Sequence, residues 1–86
     1  MQIVYSKVAL KFLAKLDKKS ALRIRDAIEG LTHQPSEGDI KLMQGFSDGR
    51  KRLRIGSWHV IYRVDTDGVV TILNVIEIGN RGDVYK

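Results

Sequence analysis

The sequence has no cysteine and only one proline in 86 residues. Without cysteine there is no disulfide framework, no thiolate nucleophile and no thiolate zinc site. Nothing therefore calls for an oxidising compartment, and a cytoplasmic location is expected. A single proline with eight glycines argues against a low-complexity or disordered chain, and a hydrophobic fraction of 43% is that of a domain with a core. Long apolar runs are missing too. Lys7, Lys11 and Lys15 interrupt "MQIVYSKVALKFLAKL" before any run reaches the length of a signal peptide or membrane span, so a soluble protein is expected. The length suits one domain, 1–86, with a modest core.

What the chain does have is positive charge. Fifteen basic and ten acidic residues give +5, and "RKRLRIGSWHVIYR", residues 50–63, holds five of the basic residues and none of the acidic ones. The rest of the chain balances at ten against ten, so along the sequence the excess is local. A local cationic patch implies an anionic partner more strongly than a diffuse excess does, and nucleic acid and an acidic protein both fit.

The pattern of the chain reads as α+β. "QIVYS" at 2–6 is a short strand, and Ser6 caps a helix through "KVALKFLAKL", in which Val8, Phe12 and Leu16, with Ala9, Leu13 and Leu10 nearby, recur at helical spacing. Asp17 stops that helix and starts a second, over about 18–33, with Ala21, Ile24, Ile28 and Leu31 on one stripe. Together these make a helical hairpin. Pro35 and Gly38 end it. A short strand at 40–43 and a turn at Ser47, Asp48 and Gly49 follow, then strands at about 50–55, 58–65 and 69–78, separated by Gly56-Ser57 and by the Asp67-Gly68 hairpin signal. The expectation is an N-terminal strand, a helical hairpin, and an antiparallel sheet of three or four strands with the helices on one face. The last strand is apolar on both faces and should be central.

Alternation along strands assigns the charges to a face. Arg50, Arg52 and Arg54 point one way, while Lys51, Leu53 and Ile55 point the other. Leu53 and Ile55 belong in the core, which leaves the arginines on the open face of the sheet. On the next strand Val60, Tyr62 and Val64 face the helices, which puts His59 and Arg63 beside the arginines. The row reads either as solvated charge protecting a sheet surface or as a site for an anion, since like charges on one strand repel unless something compensates them. Lys51 reads as solvent-exposed or edge-protecting.

Other chemistry finds no foothold. His33 and His59 have no partners at metal-binding spacing, "GNRG" is too short for a phosphate loop, and the serines lack a triad context. His33 reads as a helix-end residue, and Glu77 as structural or as a charge partner for an arginine.

The chain ends in "GNRGDVYK", residues 79–86. With the helical hairpin, the "KLMQGFSDGRKRLRIGSWHVIYRV" segment and Arg81 and Tyr85 near the terminus, the sequence resembles the RelE/ParE superfamily of type II toxin–antitoxin toxins, and within it the RelE-like mRNA endonucleases. The resemblance covers nearly the whole chain. It implies a RelE-like fold and a toxin that enters the ribosomal A site, cleaves mRNA and is silenced by an antitoxin in a hetero-oligomer. It implies catalytic roles for Arg50, Arg52, His59, Arg81 and Tyr85, with no metal or cofactor, and Arg54 matches a further basic position of the same strand. Arg54, with Arg63 and Lys51 of the same basic stretch, is expected to contact RNA. Some members carry lysines at the first two basic positions and an arginine at the third, where this chain has Arg50, Arg52 and His59. If a lysine is the base in those members, that role passes here to His59 or Tyr85. Trp58 would either stack on a base or sit buried or at an edge. Two other readings stay open: a ParE-like toxin that poisons DNA gyrase, and a non-catalytic module whose basic face docks an acidic antitoxin.

Overall fold

The computed structural model describes residues 1–33 and 35–80. In chain order these form strand β1 (Gln2–Tyr5), helix α1 (Lys7–Lys15), helix α2 (Lys18–Gly30), and strands β2 (Asp39–Leu42), β3 (Lys51–Ile55), β4 (Trp58–Asp67) and β5 (Val70–Asn80). The five strands make one sheet in the order β1-β5-β4-β3-β2. β2 to β5 form the antiparallel meander the turn signals predict, and β1 pairs parallel to β5. The chain therefore leaves β1, crosses one sheet face as a helical pair, and returns strand by strand until β5 lies beside β1. β5 is interior to the sheet, as its apolar faces require.

Both helix starts are capped by their own side chains. The Ser6 hydroxyl accepts from the Ala9 N–H at 3.0 Å, and an Asp17 carboxylate oxygen accepts from the Ser20 N–H at 3.0 Å. The second helix ends at Gly30, earlier than its apolar pattern alone indicates. Its last carbonyls are taken by turn groups: the Glu37 N–H donates to Gly30, the Thr32 hydroxyl to Glu29 and the Ser36 hydroxyl to Leu31. On α1 the inward residues are Ala9 and Leu13, flanked by half-buried Phe12 and Leu16, whereas Val8 and Leu10 are exposed. The predicted apolar stripe is thus rotated by one position. Ala9 and Leu13 lie four residues apart on the side that meets the sheet, and Val8 falls about 100° away from Ala9.

The core lies between the helices and the sheet. Ile24 and Ile28 of α2 meet Leu53, Val60, Leu73 and Val75 there, all at or near zero exposure. Burying one such side chain is worth about 1.5–3 kcal/mol relative to leaving it in water. Gly38 admits this packing at the entry to β2. Its φ of 124° is in glycine territory, and a Cβ there would come within 2.6 Å of Leu53 Cδ1.

A bulge on β5 keeps the sheet faces consistent. Tyr62 pairs with Val75 and the preceding Ile61 with Glu77, so Ile76 is an extra residue. Strict alternation from Leu73 and Val75 would drive Glu77 into the core. The extra residue flips the parity, so Ile78 is buried and Glu77 exposed. The Ser6 hydroxyl donates to the Ile76 carbonyl at 2.7 Å, fastening the start of α1 to the bulge.

Candidate nucleic-acid interface on the open sheet face

Leu53 and Ile55 lie in the core, so Arg52 and Arg54 of β3 project from the opposite face, away from both helices. Cross-strand register sets Arg54 opposite His59 and Arg52 opposite Ile61. Arg63 follows two positions beyond Ile61, and Arg50 lies just before β3. The face gathers the four arginines and the histidine that alternation assigns to it. Lys51 does not join them. It is exposed, but it alternates to the helix side with Leu53. Trp58 also lies on the helix side, half-buried against the core with the Arg23 guanidinium 5.8 Å from its ring centre, which removes it as a stacking platform on this face. Arg81 and Tyr85 lie outside the described residues.

His59 is on the predicted face but completely buried. Register puts Gly79 of β5 on its other side, where no side chain competes for the space. His33 is a helix-end residue as expected, its Nδ1 lying 3.1 Å from a Glu37 carboxylate oxygen.

Carboxylates missing from the 50–63 segment come from just outside it. Asp48, in the turn before β3, receives Arg50 Nη2 at 2.8 Å, Arg50 Nε at 3.1 and 3.2 Å, and Arg63 Nη1 at 3.1 Å. Arg63 Nε donates to Asp65 at 3.0 Å, and the Asn74 amide donates to the same Asp65 oxygen at 2.6 Å. The Phe46 ring packs against Arg50, 4.2 Å from guanidinium carbon to ring centre. Hydrogen bonds from Arg50, then from Arg63, hold the Asp48 carboxyl well below the usual carboxylate range, and the bond to Asp48 in turn raises the Arg50 pKa. Bonds to Asp65 and then Asp48 raise Arg63 likewise. Glu77 adds a weaker electrostatic pull on Arg50 from β5, in line with one of the two roles open to it.

The face is therefore divided. At one end Asp48 grips the Nε/Nη2 side of Arg50 and leaves its Nη1 without a bond among the described residues. At the other, Arg54 meets Asp39 only loosely, at 3.6 Å with both side chains largely exposed. An anion can approach Arg54, and a phosphate can take the outer edge of Arg50 without displacing Asp48. The sequence reading missed Asp39, Asp48 and Asp65 as partners. Asp48 stands two before Arg50 and Asp65 two after Arg63, the same-face spacing in extended chain, and that was the available signal.

Around the sheet edge, a cleft of about 450 Å³ opens between α2 and the end of β3. Asp26 and Glu37 line it beside Arg23, so it does not extend the cationic face. Among the described residues no cluster of His, Cys, Asp or Glu could hold a metal ion, and no helix is long and apolar enough to cross a membrane.

A sequence model of the family described as ParE toxin of type II toxin–antitoxin system, parDE, matches residues 3–85. The chain belongs to this toxin family. It is a type II toxin of the RelE/ParE superfamily, and its fold is theirs. The YoeB/ParE toxin from Agrobacterium tumefaciens superposes with a TM-score of 0.76 at 22% identity, over 93% of this chain and 98% of that one. The toxin in the RelBE2 toxin–antitoxin complex of Mycobacterium tuberculosis gives 0.72 at 18% identity, over 93% and 96%. The archaeal RelE–RelB complex of Pyrococcus horikoshii gives 0.72 at 22% identity, over 96% and 97%. No functionally curated protein matches the sequence significantly.

Proposed function

We propose that this toxin is a ribosome-dependent endoribonuclease that cleaves mRNA in the A site and is held in check by a cognate antitoxin. The observation that carries the reading is the row of Arg52 and Arg54 on β3, in register with Ile61 and His59 on a sheet face that neither helix covers. Attack of a ribose 2′-hydroxyl on the adjacent phosphate builds negative charge on the phosphoryl oxygens. Guanidinium groups bind that charge in pairs of hydrogen bonds as it develops. Arg50, Arg52 and Arg81 take this role, and Arg54 and Arg63 hold flanking phosphates.

A proton must also leave the 2′-hydroxyl and another must reach the leaving 5′-oxygen. Arginine stays protonated at neutral pH, so the carrier is His59 or Tyr85. His59 is enclosed, so it can trade a proton with RNA only if binding uncovers it. His59→Gln and Tyr85→Phe discriminate: the carrier's variant keeps ribosome binding and loses cleavage. Full cleavage by both variants would remove this proton-transfer scheme. The antitoxin follows by analogy from the solved relatives that are toxin–antitoxin complexes.

A gyrase-directed toxin is the second reading. It is favoured by the ParE description of the matching family and by the neutralisation of Arg50 and Arg63 by Asp48 and Asp65. In vitro translation with primer extension on the message, run beside a gyrase supercoiling assay, separates the two. Ribosome-dependent cuts are expected; gyrase inhibition without cuts would overturn the nuclease reading.

A further inference from the structure

Among the described residues, the densest run of cations outside any ion pair lies away from the arginine face. Arg50, Arg54 and Arg63 each lie within 4.0 Å of an aspartate. Between Ser6 and Ser20, by contrast, stand five lysines and one acidic residue, Asp17, whose carboxylate is engaged by the Ser20 N–H. All five lysines are exposed, and none takes part in an ion pair among the described residues. Lys7, Lys11 and Lys15 follow one another at intervals of four on α1, so their stems rise from one helix face about 6 Å apart along the axis. That face is turned away from the sheet, since Ala9 and Leu13 point inward. Lys18 and Lys19 continue the patch at the start of α2.

We propose that this lysine face docks on the phosphate backbone of double-stranded RNA. Its residue types decide between a nucleic acid and a protein. Protein interfaces are depleted in lysine and enriched in aromatic residues and arginine, whereas the cations of this patch are all lysine, with exposed Val8 and Leu10 beside them and the one aromatic of α1, Phe12, packed toward the core. Lysine ammonium groups on flexible stems suit phosphates, whose contacts fix position without reading sequence. The face thus recruits and the sheet acts. Only the choice of RNA over DNA rests on the RNA-directed function proposed above.

Fluorescence anisotropy with a short RNA duplex and a DNA duplex of the same sequence, over a series of salt concentrations, tests this. Wild-type toxin binds the RNA duplex, and the Lys7→Gln/Lys11→Gln/Lys15→Gln variant should lower the slope of log K against log salt by about 2–3, since each phosphate no longer neutralised removes about 0.7–0.9 from it. The corresponding triple Lys→Arg variant should keep the slope, and far-UV circular dichroism checks that both are folded. An unchanged slope in the Gln triple overturns the proposal. So does a lysine-dependent preference for the DNA duplex, or stronger lysine-dependent binding of a poly-glutamate peptide. If lysine-dependent RNA binding survives while no message is cut, the inference stands and the nuclease reading falls.

Discussion

On the open sheet face, Arg50 and Arg63 share one aspartate and Arg63 takes a second, while on α1 Lys7, Lys11 and Lys15 form no ion pair among the described residues. The two surfaces use different cations for a physical reason. A guanidinium can give one edge to a fixed carboxylate and keep another for a ligand, so its direction is set in advance. An ammonium is a hydrated point charge with no edge to set, and it attracts from a distance without orienting anything. A clamped pair suits chemistry that needs geometry, and a loose row suits capture. Arg54 and its distant Asp39 fall between these cases.

The largest effect expected from breaking this contrast is on the sheet. Arg52→Gln combined with Arg54→Gln should lower message cleavage in translation extracts by about 10²- to 10³-fold, the scale of losing charge stabilisation in a transition state. Primer extension reads this directly, and retained cleavage would move the chemistry off the face. Next comes the clamp. Asp48→Asn keeps all the arginines but loosens the hold on Arg50 and Arg63, and misplacing a guanidinium that is still present should cost roughly tenfold in kcat with KM little changed. Equal losses in Asp48→Asn and Asp48→Glu would contradict a role in positioning.

The same clamp sets a pH dependence. The Asp48 carboxyl is held below its ordinary value of about 3.9 in the folded chain, so its contribution to stability is complete above that value and is lost as pH falls through the lowered one. Urea midpoints of wild type and Asp48→Asn should differ at neutral pH and converge below pH 4, roughly. The smallest effect belongs to the helix. The Lys7→Gln/Lys11→Gln/Lys15→Gln triple should change folding stability by no more than about 0.5 kcal/mol per site in urea denaturation, because exposed lysines outside any ion pair hold nothing in place.

Most of the fold was legible because its signals are local. Ser6 and Asp17 cap the helices that their positions in the sequence mark out, Gly56-Ser57 separates β3 from β4, and Asp67-Gly68 marks the β4–β5 hairpin, whose turn falls one position later, at Gly68-Val69. The second helix stops short of its apolar pattern, at Gly30, because the turn groups that end it come from Ser36 and Glu37, beyond that pattern. Of the site, the shared face of Arg52, Arg54, His59 and Arg63 followed from alternation. The enclosure of His59 did not, because alternation gives direction and says nothing of depth.

The sequence by itself determined the order of helices and strands, and which side of β3 and β4 carries the arginines, since those depend on periods of 3.6 and 2 within one segment. Only the tertiary structure decided how charge is shared out. Asp48 neutralises two arginines, fifteen positions apart in the case of Arg63, because the β3–β4 register brings them to one carboxylate. Among the described residues, Arg50, Arg54 and Arg63 of the 50–63 stretch thus meet aspartates, whereas the lysines of α1 stand outside any ion pair. A formal charge is a property of a residue, but an unbalanced charge is a property of its neighbours in space.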